Sequence, residues 1–210
     1  MQAQPVSDRR MVNAELLIEK AGQGDQHAFN QLVSLWYKRI YNYVLKTSGD
    51  IEQAGDITQR TFIAVFKYLP KLKDNGSFKP WIYRIATNFC YEEGRKKVKV
   101  RTVPFTVAKD NDEHGRIERG EAKGVMFNPE RSYQQQELEH ALFECLQVLP
   151  EEQRCVIVMK EYEGMKFHEI ADALDTSENT IKTRLYRGLK VLKEELEKRK
   201  ITKETIHYEL

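Results

Sequence analysis

The stretch HEIADALDTSENTIKTRLYRGL, residues 168–189, has the spacing that decides the fold of the second half of the chain. Ala171 supplies the small residue that is needed where two helices cross closely. Asp175 stands where a tight turn favours a left-handed backbone, which Asp and Asn tolerate better than most residues. Ser177 then has the side chain of a good helix N-cap. Together these three positions predict a helix-turn-helix.

This helix-turn-helix has one apolar side and one polar side. Its apolar positions follow helical spacing: Ile170, Leu174, Ile181, Leu185 and Leu189. The polar side of the second helix carries groups that hydrogen-bond base edges or phosphates in a major groove: Ser177, Glu178, Asn179, Thr180, Lys182, Thr183, Arg184 and Arg187. Because this helix is basic and every spacing requirement is met, we predict that it binds duplex DNA. The alternative is an amphipathic helix pair whose charged side is only solvated.

The first half of the chain predicts four further helices. The protein has 210 residues, and its apolar residues recur every three or four positions, which predicts a nearly all-α fold. The predicted helices run from Asn13 to Ala21, from a cap at Asp25 to Gly49, from Ile51 to Leu69, and from a cap at Ser77 into the basic run RKKVKVR.

A change of composition separates the two halves. Residues 101–132 are polar and charged, contain glycines and prolines, and predict a flexible linker. Two amphipathic helices are predicted after it, one ending before Pro150 and one over Glu151–Glu161. The chain is therefore predicted to form two small helical domains, at residues 11–100 and 133–200.

The composition also argues against several classes of protein. The formal net charge is +2, and no window is apolar enough to cross a bilayer or to act as a secretion signal, so a cytoplasmic protein is expected. Cys90, Cys145 and Cys155 lie far apart in apolar helical patterns, which predicts buried, reduced thiols. We expect no metal, no cofactor and no enzymatic activity. The sequence has no Cys/His ligand spacing, no phosphate-binding glycine loop and no Ser/His/Asp set.

The fourth predicted helix carries a second surface that suits DNA. Polar, basic and aromatic residues fall on one stripe: Arg84, Thr87, Asn88, Tyr91 and Arg95. An unstacked base needs a flat surface and its phosphate needs a cation, so this composition fits single-stranded DNA. The helix ends in a basic tail, for which a merely solvated run is the alternative: Arg95, Lys96, Lys97, Lys99 and Arg101. Trp81 has an apolar setting and is predicted to lie in the core.

Three segments resemble those of one family, the extracytoplasmic-function (ECF, group IV) sigma factors of the sigma-70 family. Residues 142–196 resemble region 4 of these factors. Residues 54–69, AGDITQRTFIAVFKYL, resemble the segment that grips RNA polymerase. Residues 76–97, GSFKPWIYRIATNFCYEEGRKK, resemble the segment that opens the promoter. Matches that follow the order of these segments in the family, on both sides of a linker, are more specific than any one match alone.

The resemblance implies an alternative sigma factor that binds core RNA polymerase and directs promoter-specific initiation. It implies that the polar side of the helix-turn-helix reads the −35 element in duplex DNA. Binding and melting of the −10 element are expected from Lys73, Asp74, Asn75, Ser77, Arg84, Thr87, Asn88, Tyr91, Arg95, Lys96 and Lys97. Contacts to the β′ clamp coiled coil are expected from Asp56, Gln59, Arg60, Phe62 and Val65. The alternatives are that Phe62 and Val65 lie in the core and that Arg60 pairs with Asp56 one turn back. The family usually has an acid where Arg60 stands. The β flap and a cognate anti-sigma factor are further expected partners.

Other functions fit the sequence less well. A helix-turn-helix regulator that does not join polymerase needs a ligand pocket or a dimer interface in its first half, which here carries a second DNA-like surface. An anti-sigma factor of the zinc type needs a His/Cys cluster. A nuclease or recombinase needs clustered acids to hold Mg²⁺. A helical scaffold leaves the matches on both sides of the linker unexplained.

Overall fold

The structure, a computed structural model, describes residues 6–102 and 133–201, with side chains described at 14–96 and 136–201. These residues form helices and turns and no strand, which confirms the predicted all-α class. The α-helices are α1 (Val6–Gly22), α2 (Gln26–Ser48), α3 (Ile51–Tyr68), α4 (Phe78–Thr102), α5 (Tyr133–Val148), α6 (Glu151–Ile157), α7 (Phe167–Leu174) and α8 (Glu178–Lys198). Beyond Thr102, the predicted linker lies outside the described residues.

Capping residues set the ends of the helices in the first half. Asp25 caps α2 by accepting hydrogen bonds from the backbone N–H groups of His27 (2.8 Å) and Ala28 (3.0 Å). Gly49 ends the same helix in the left-handed conformation, with φ 73°. Both ends were predicted. The first helix instead begins at Val6, well before the predicted cap at Asn13, because no Gly or Pro interrupts the sequence from Val6 to Ala21.

The predicted helix over Glu151–Glu161 changes its geometry part-way. It is α-helical as far as Ile157 and continues as a π-helical turn over Val158–Tyr162. Here the Glu163 N–H donates to the carbonyl of Val158 at 3.2 Å, one residue further back than in an α-helix. Gly164 follows with φ 60° and reverses the chain. This wide turn carries Glu163 toward the first half of the chain.

Two helical units, α1–α4 and α5–α8, pack against each other. Their buried residues form one continuous apolar cluster, which includes Leu32 and Ile40 of the first unit and Ile170 and Ile181 of the second. Each such side chain contributes roughly 1.5–3 kcal/mol when fully buried. Helix α4 packs along α7, and α2 contacts α5 and α6. Trp81, predicted to be in the core, is only partly buried against it.

Candidate nucleic-acid interface

Helices α7 and α8 form the predicted helix-turn-helix. Asp175 adopts the left-handed conformation, with φ 49° and ψ 53°, in the turn between them. The Ser177 hydroxyl accepts a hydrogen bond from the Thr180 N–H at 3.2 Å and so caps α8. Ala171 is buried where the two helices approach, and Ile181 and Leu185 are buried beneath α8. The local signals of the sequence are therefore confirmed at each of these positions.

The polar side of α8 holds both exposed and half-buried residues. The exposed positions are Ser177, Glu178, Asn179, Thr183 and Arg187. Lys182 and Arg184 are half-buried: Lys182 lies 3.8 Å from Glu178, and Arg184 forms an ion pair with Glu152 at 2.6 Å. A phosphate that bound Arg184 would have to displace that carboxylate.

A cleft of about 400 Å³ between the start of α6 and the first three turns of α8 brings most of the predicted duplex-binding residues together. Its lining consists of Pro150, Glu152, Gln153, Asn179, Thr180, Thr183, Arg184 and Arg187. Amide, hydroxyl and guanidinium groups thus converge on one concave surface, which can offer hydrogen-bond donors to base edges and phosphates.

The loop before α4 is held by Asp74. Its carboxylate accepts hydrogen bonds from the Ser77 hydroxyl at 2.6 Å and from the Gly76 N–H at 3.0 Å. These bonds, the Ser77 bond foremost, lower the pKa of Asp74. Ser77 was predicted to cap α4 but donates to Asp74 instead, because a 3₁₀ turn over Asn75–Ser77 precedes the helix. Lys73 is exposed and Asn75 partly exposed beside this turn.

The predicted stripe on α4 is split by packing within the first unit at Thr87 and by contact with the second unit at Arg84. Thr87 is buried, where its hydroxyl lies 2.6 Å from that of Tyr43 and donates to the Tyr83 carbonyl at 2.7 Å. Arg84 donates to the backbone carbonyl of Asp172 on α7. Thr87 is therefore a structural residue in this arrangement, and the side chain of Arg84 is engaged by the second unit.

The rest of the stripe lies near α6 or at the surface. Tyr91 is half-buried against Cys155, and burial raises the pKa of its hydroxyl. Asn88, Arg95 and Lys96 are exposed on α4. The side chain of Lys97 lies outside the described residues. The structure therefore leaves Asn88, Arg95 and Lys96 together on an open face.

Glu163 joins the two units and was missed by sequence reasoning. Its carboxylate is 8% exposed, accepts a hydrogen bond from the Tyr83 hydroxyl and lies 3.3 Å from Arg39. Lys79 donates to its backbone carbonyl at 3.2 Å. The only signal in the sequence was Gly164, which indicates a turn but not what packs against it.

Helix α3 buries Phe62 and Val65, in agreement with the core alternative, and exposes two other apolar residues. Phe62 and Val65, expected to contact polymerase, are 8% and 0% exposed and belong to the core. Ile63 and Phe66 are instead 60% and 56% exposed. Asp56 and Gln59 are exposed as expected. Arg60 is partly covered and turned toward α4.

Three further features of the described residues concern the cysteines, metal sites and membrane-spanning helices. All three cysteines are buried and carry free thiols. Within residues 6–102 and 133–201, no group of three or more His, Cys, Asp or Glu side chains is arranged to hold a metal ion. None of the helices in this part of the chain has the length and apolar character needed to cross a membrane.

Two family models match the chain, one in each unit. Residues 32–100 match Sigma-70 region 2, and residues 139–192 match Sigma-70, region 4. The first covers α3, most of α2 and nearly all of α4, and the second covers the helix-turn-helix. The matches therefore fall on the two surfaces described above.

Curated relatives that match most of the chain are also sigma factors. The ECF RNA polymerase sigma-E factor of Salmonella typhimurium is 30% identical over 180 residues, covering 83% of this chain and 89% of that protein. The ECF RNA polymerase sigma factor SigW of Bacillus subtilis is 31% identical over 179 residues, covering 85% and 94%.

Two solved structures share the fold. CnrH, in complex with the cytosolic domain of CnrY, matches with a TM-score of 0.62 at 22% identity, covering 88% of this chain and 97% of that one. The sigma factor RpoE of Bartonella quintana, in complex with the anti-sigma factor NepR, matches with a TM-score of 0.60 at 19% identity, covering 80% and 96%. By its two family matches, its whole-chain relatives and its helix-turn-helix, the chain belongs to the ECF sigma factors of the sigma-70 family, which direct RNA polymerase to promoters.

Proposed function

We propose that this sigma factor reads the −35 element as duplex DNA through the first turns of α8. The observation that carries this proposal is the exposed set Asn179, Thr183 and Arg187, which lines the concave cleft along the first three turns of α8. A helix of a helix-turn-helix enters the major groove with its N-terminal residues toward the base edges. Lys182 and Arg184 stand at the edge of this set and suit phosphates once released from their carboxylate partners.

The second part of the proposal concerns the −10 element. The loop residues Lys73 and Asn75 and the open face of α4, with Asn88, Arg95 and Lys96, combine amides with cations. Such a surface holds an unpaired strand by its backbone and by hydrogen bonds to its bases. Arg84 and Tyr91 join this surface only when the second unit moves away, because both now contact that unit. We therefore assign promoter opening to a separated arrangement of the two units.

The polymerase-binding surface is proposed to centre on the exposed side of α3. Asp56 and Gln59 provide polar groups, and Ile63 and Phe66 provide apolar anchors. Protein interfaces combine an apolar centre with a polar rim, which this face offers to the β′ clamp coiled coil. A further contact from the second unit to the β flap is expected from the family.

The remaining partners follow from family membership. The related structures of CnrH and RpoE are complexes with CnrY and with the anti-sigma factor NepR, which supports the proposal of a cognate anti-sigma factor here. The protein would act as a non-enzymatic subunit. A bacterial core polymerase as partner places it in the cytoplasm.

The test is binding of the purified full-length protein to core RNA polymerase, followed by run-off transcription from genomic fragments. Stable binding and new, promoter-specific transcripts are expected, and they also yield the promoter sequence. Binding to DNA without affinity for core polymerase would overturn the proposal in favour of a helix-turn-helix regulator that does not join polymerase.

A further inference from the structure

Arg60 of α3 makes a dense set of contacts with α4. Its guanidinium lies 2.6 Å from the Glu93 carboxylate and 2.9 Å from that of Glu92. The same group lies 4.4 Å from the ring centre of Phe89. Its pair with Asp56, one turn back on its own helix, is longer, at 3.7 Å. The Arg60 side chain is therefore turned toward α4 rather than along the exposed face of α3.

Lys96 closes the network from the other side. Its ammonium lies 2.9 Å from both Glu92 and Glu93. The hydrogen bonds from Lys96, together with those from Arg60, lower the pKa of both glutamates. Two carboxylates and two cations thus form one connected group between α3 and α4.

The position of these carboxylates matters for DNA. Glu92 lies one helical turn after Asn88 and one turn before Lys96, on the face that we assign to the unpaired strand. Glu92 is 47% exposed, so a phosphate that approached Asn88 or Arg95 would meet its negative charge. Without Arg60, Lys96 and the two glutamates would together carry a net charge of −1 and would repel the strand.

We propose that Arg60 is a positioning residue for promoter opening, which acts on the strand through Glu92 and Glu93. Its positive charge brings the group of Arg60, Lys96 and the two glutamates to neutrality, so that the carboxylates no longer repel the DNA backbone beside Arg95. This inference rests on the proposed role of α4 in binding the −10 strand. It gives Arg60 a task on the DNA side of the first unit, although the residue stands on the helix proposed to face polymerase.

The test measures open-complex formation by holoenzyme, assembled from the full chain and core polymerase, on a promoter recovered by the run-off assay. Arg60→Gln is expected to reduce open complexes roughly fivefold, the upper range for an exposed charge pair. Adding Glu92→Gln and Glu93→Gln to that variant is expected to restore opening, because the carboxylates that repel the strand are then gone. Added salt should reduce the difference in open-complex formation between Arg60→Gln and the unsubstituted protein, since salt screens the repulsion between the glutamates and the strand.

The controls separate this role from folding and from polymerase binding. Arg199→Gln removes an ion pair with Glu144 in the second unit and should leave opening unchanged. If Arg60→Gln loses affinity for core polymerase as much as it loses opening, or if the triple variant stays defective, the inference is overturned. Failure of the unsubstituted protein to bind core polymerase would instead overturn the proposed function, and the inference with it.

Discussion

At the scale of single residues, the two DNA surfaces should respond to different substitutions. Arg187→Ala is expected to weaken binding to a −35 duplex by about 1–3 kcal/mol if the guanidinium contacts a base edge. Asn88→Ala should spare duplex binding and impair open-complex formation, because Asn88 lies on the other unit. Fluorescence anisotropy with the duplex and permanganate footprinting of the open complex check the two halves of this prediction. The same defect in both variants would contradict the division of labour.

The burial of Thr87 indicates a structural role rather than a role in binding DNA. From the sequence it was grouped with the DNA-binding stripe, yet its hydroxyl contacts Tyr43 inside the protein. Thr87→Val should cost about 1–3 kcal/mol of unfolding free energy, because a buried hydroxyl partner loses its hydrogen bond. Chemical denaturation measures this loss, and Asn88→Val on the exposed face is the matched control. Equal stability of the two variants would argue against a structural role for Thr87.

At the scale of the element, the sequence of α3 predicts the helix itself better than the burial of its residues. The apolar spacing correctly predicted a helix over these residues, because helical period and a following proline are local signals. It left open whether Phe62 and Val65 face the core or a partner, since the apolar stripe of α3 is wider than the face that the neighbouring helices cover. Phe62 and Val65 fill the core, whereas Ile63 and Phe66 remain exposed.

This difference in burial gives a prediction for α3. Val65→Ala should lower the unfolding free energy by about 1–3 kcal/mol, because it leaves a cavity in a packed core. Ile63→Ser should change stability by no more than about 0.5 kcal/mol, as expected for a surface position, but should weaken binding to core polymerase. Denaturation curves and a polymerase pull-down separate the two effects. Unchanged polymerase binding by Ile63→Ser would exclude that residue from the interface.

The helix-turn-helix was predictable in more detail than any other part of the site. Its crossing alanine, left-handed turn and cap all act within a few residues of one another, so their spacing can be read directly. Glu163 was not predictable, because its partners Arg39 and Tyr83 stand more than 75 residues away in sequence. Contacts of that kind depend on how two units pack, which no local pattern encodes.

At the scale of the whole molecule, the contacts of Glu163 favour a closed arrangement of the two units. Glu163→Ala removes a nearly buried carboxylate from Arg39 and Tyr83 and should shift the protein toward separated units. Small-angle X-ray scattering is expected to show a larger radius of gyration than for the unsubstituted protein. Glu161→Ala, an exposed neighbour on the same turn, is the matched control. Identical scattering by all three proteins would show that Glu163 does not hold the units together.

The thiol of Cys155 lies between the units, where the hydroxyls of Tyr43 and Tyr91 hydrogen-bond to it, and burial raises its pKa to about 11. Few of these thiols are ionised near neutral pH while the units stay together, and no reagent reaches them. Separation would expose the sulfur and bring its pKa back toward the usual value for cysteine. The rate at which iodoacetamide alkylates Cys155 therefore reports how often the two units separate, and mass spectrometry measures this rate without an added label. Promoter DNA with core polymerase should increase the alkylation rate of Cys155, and a bound anti-sigma factor that holds the units together should decrease it.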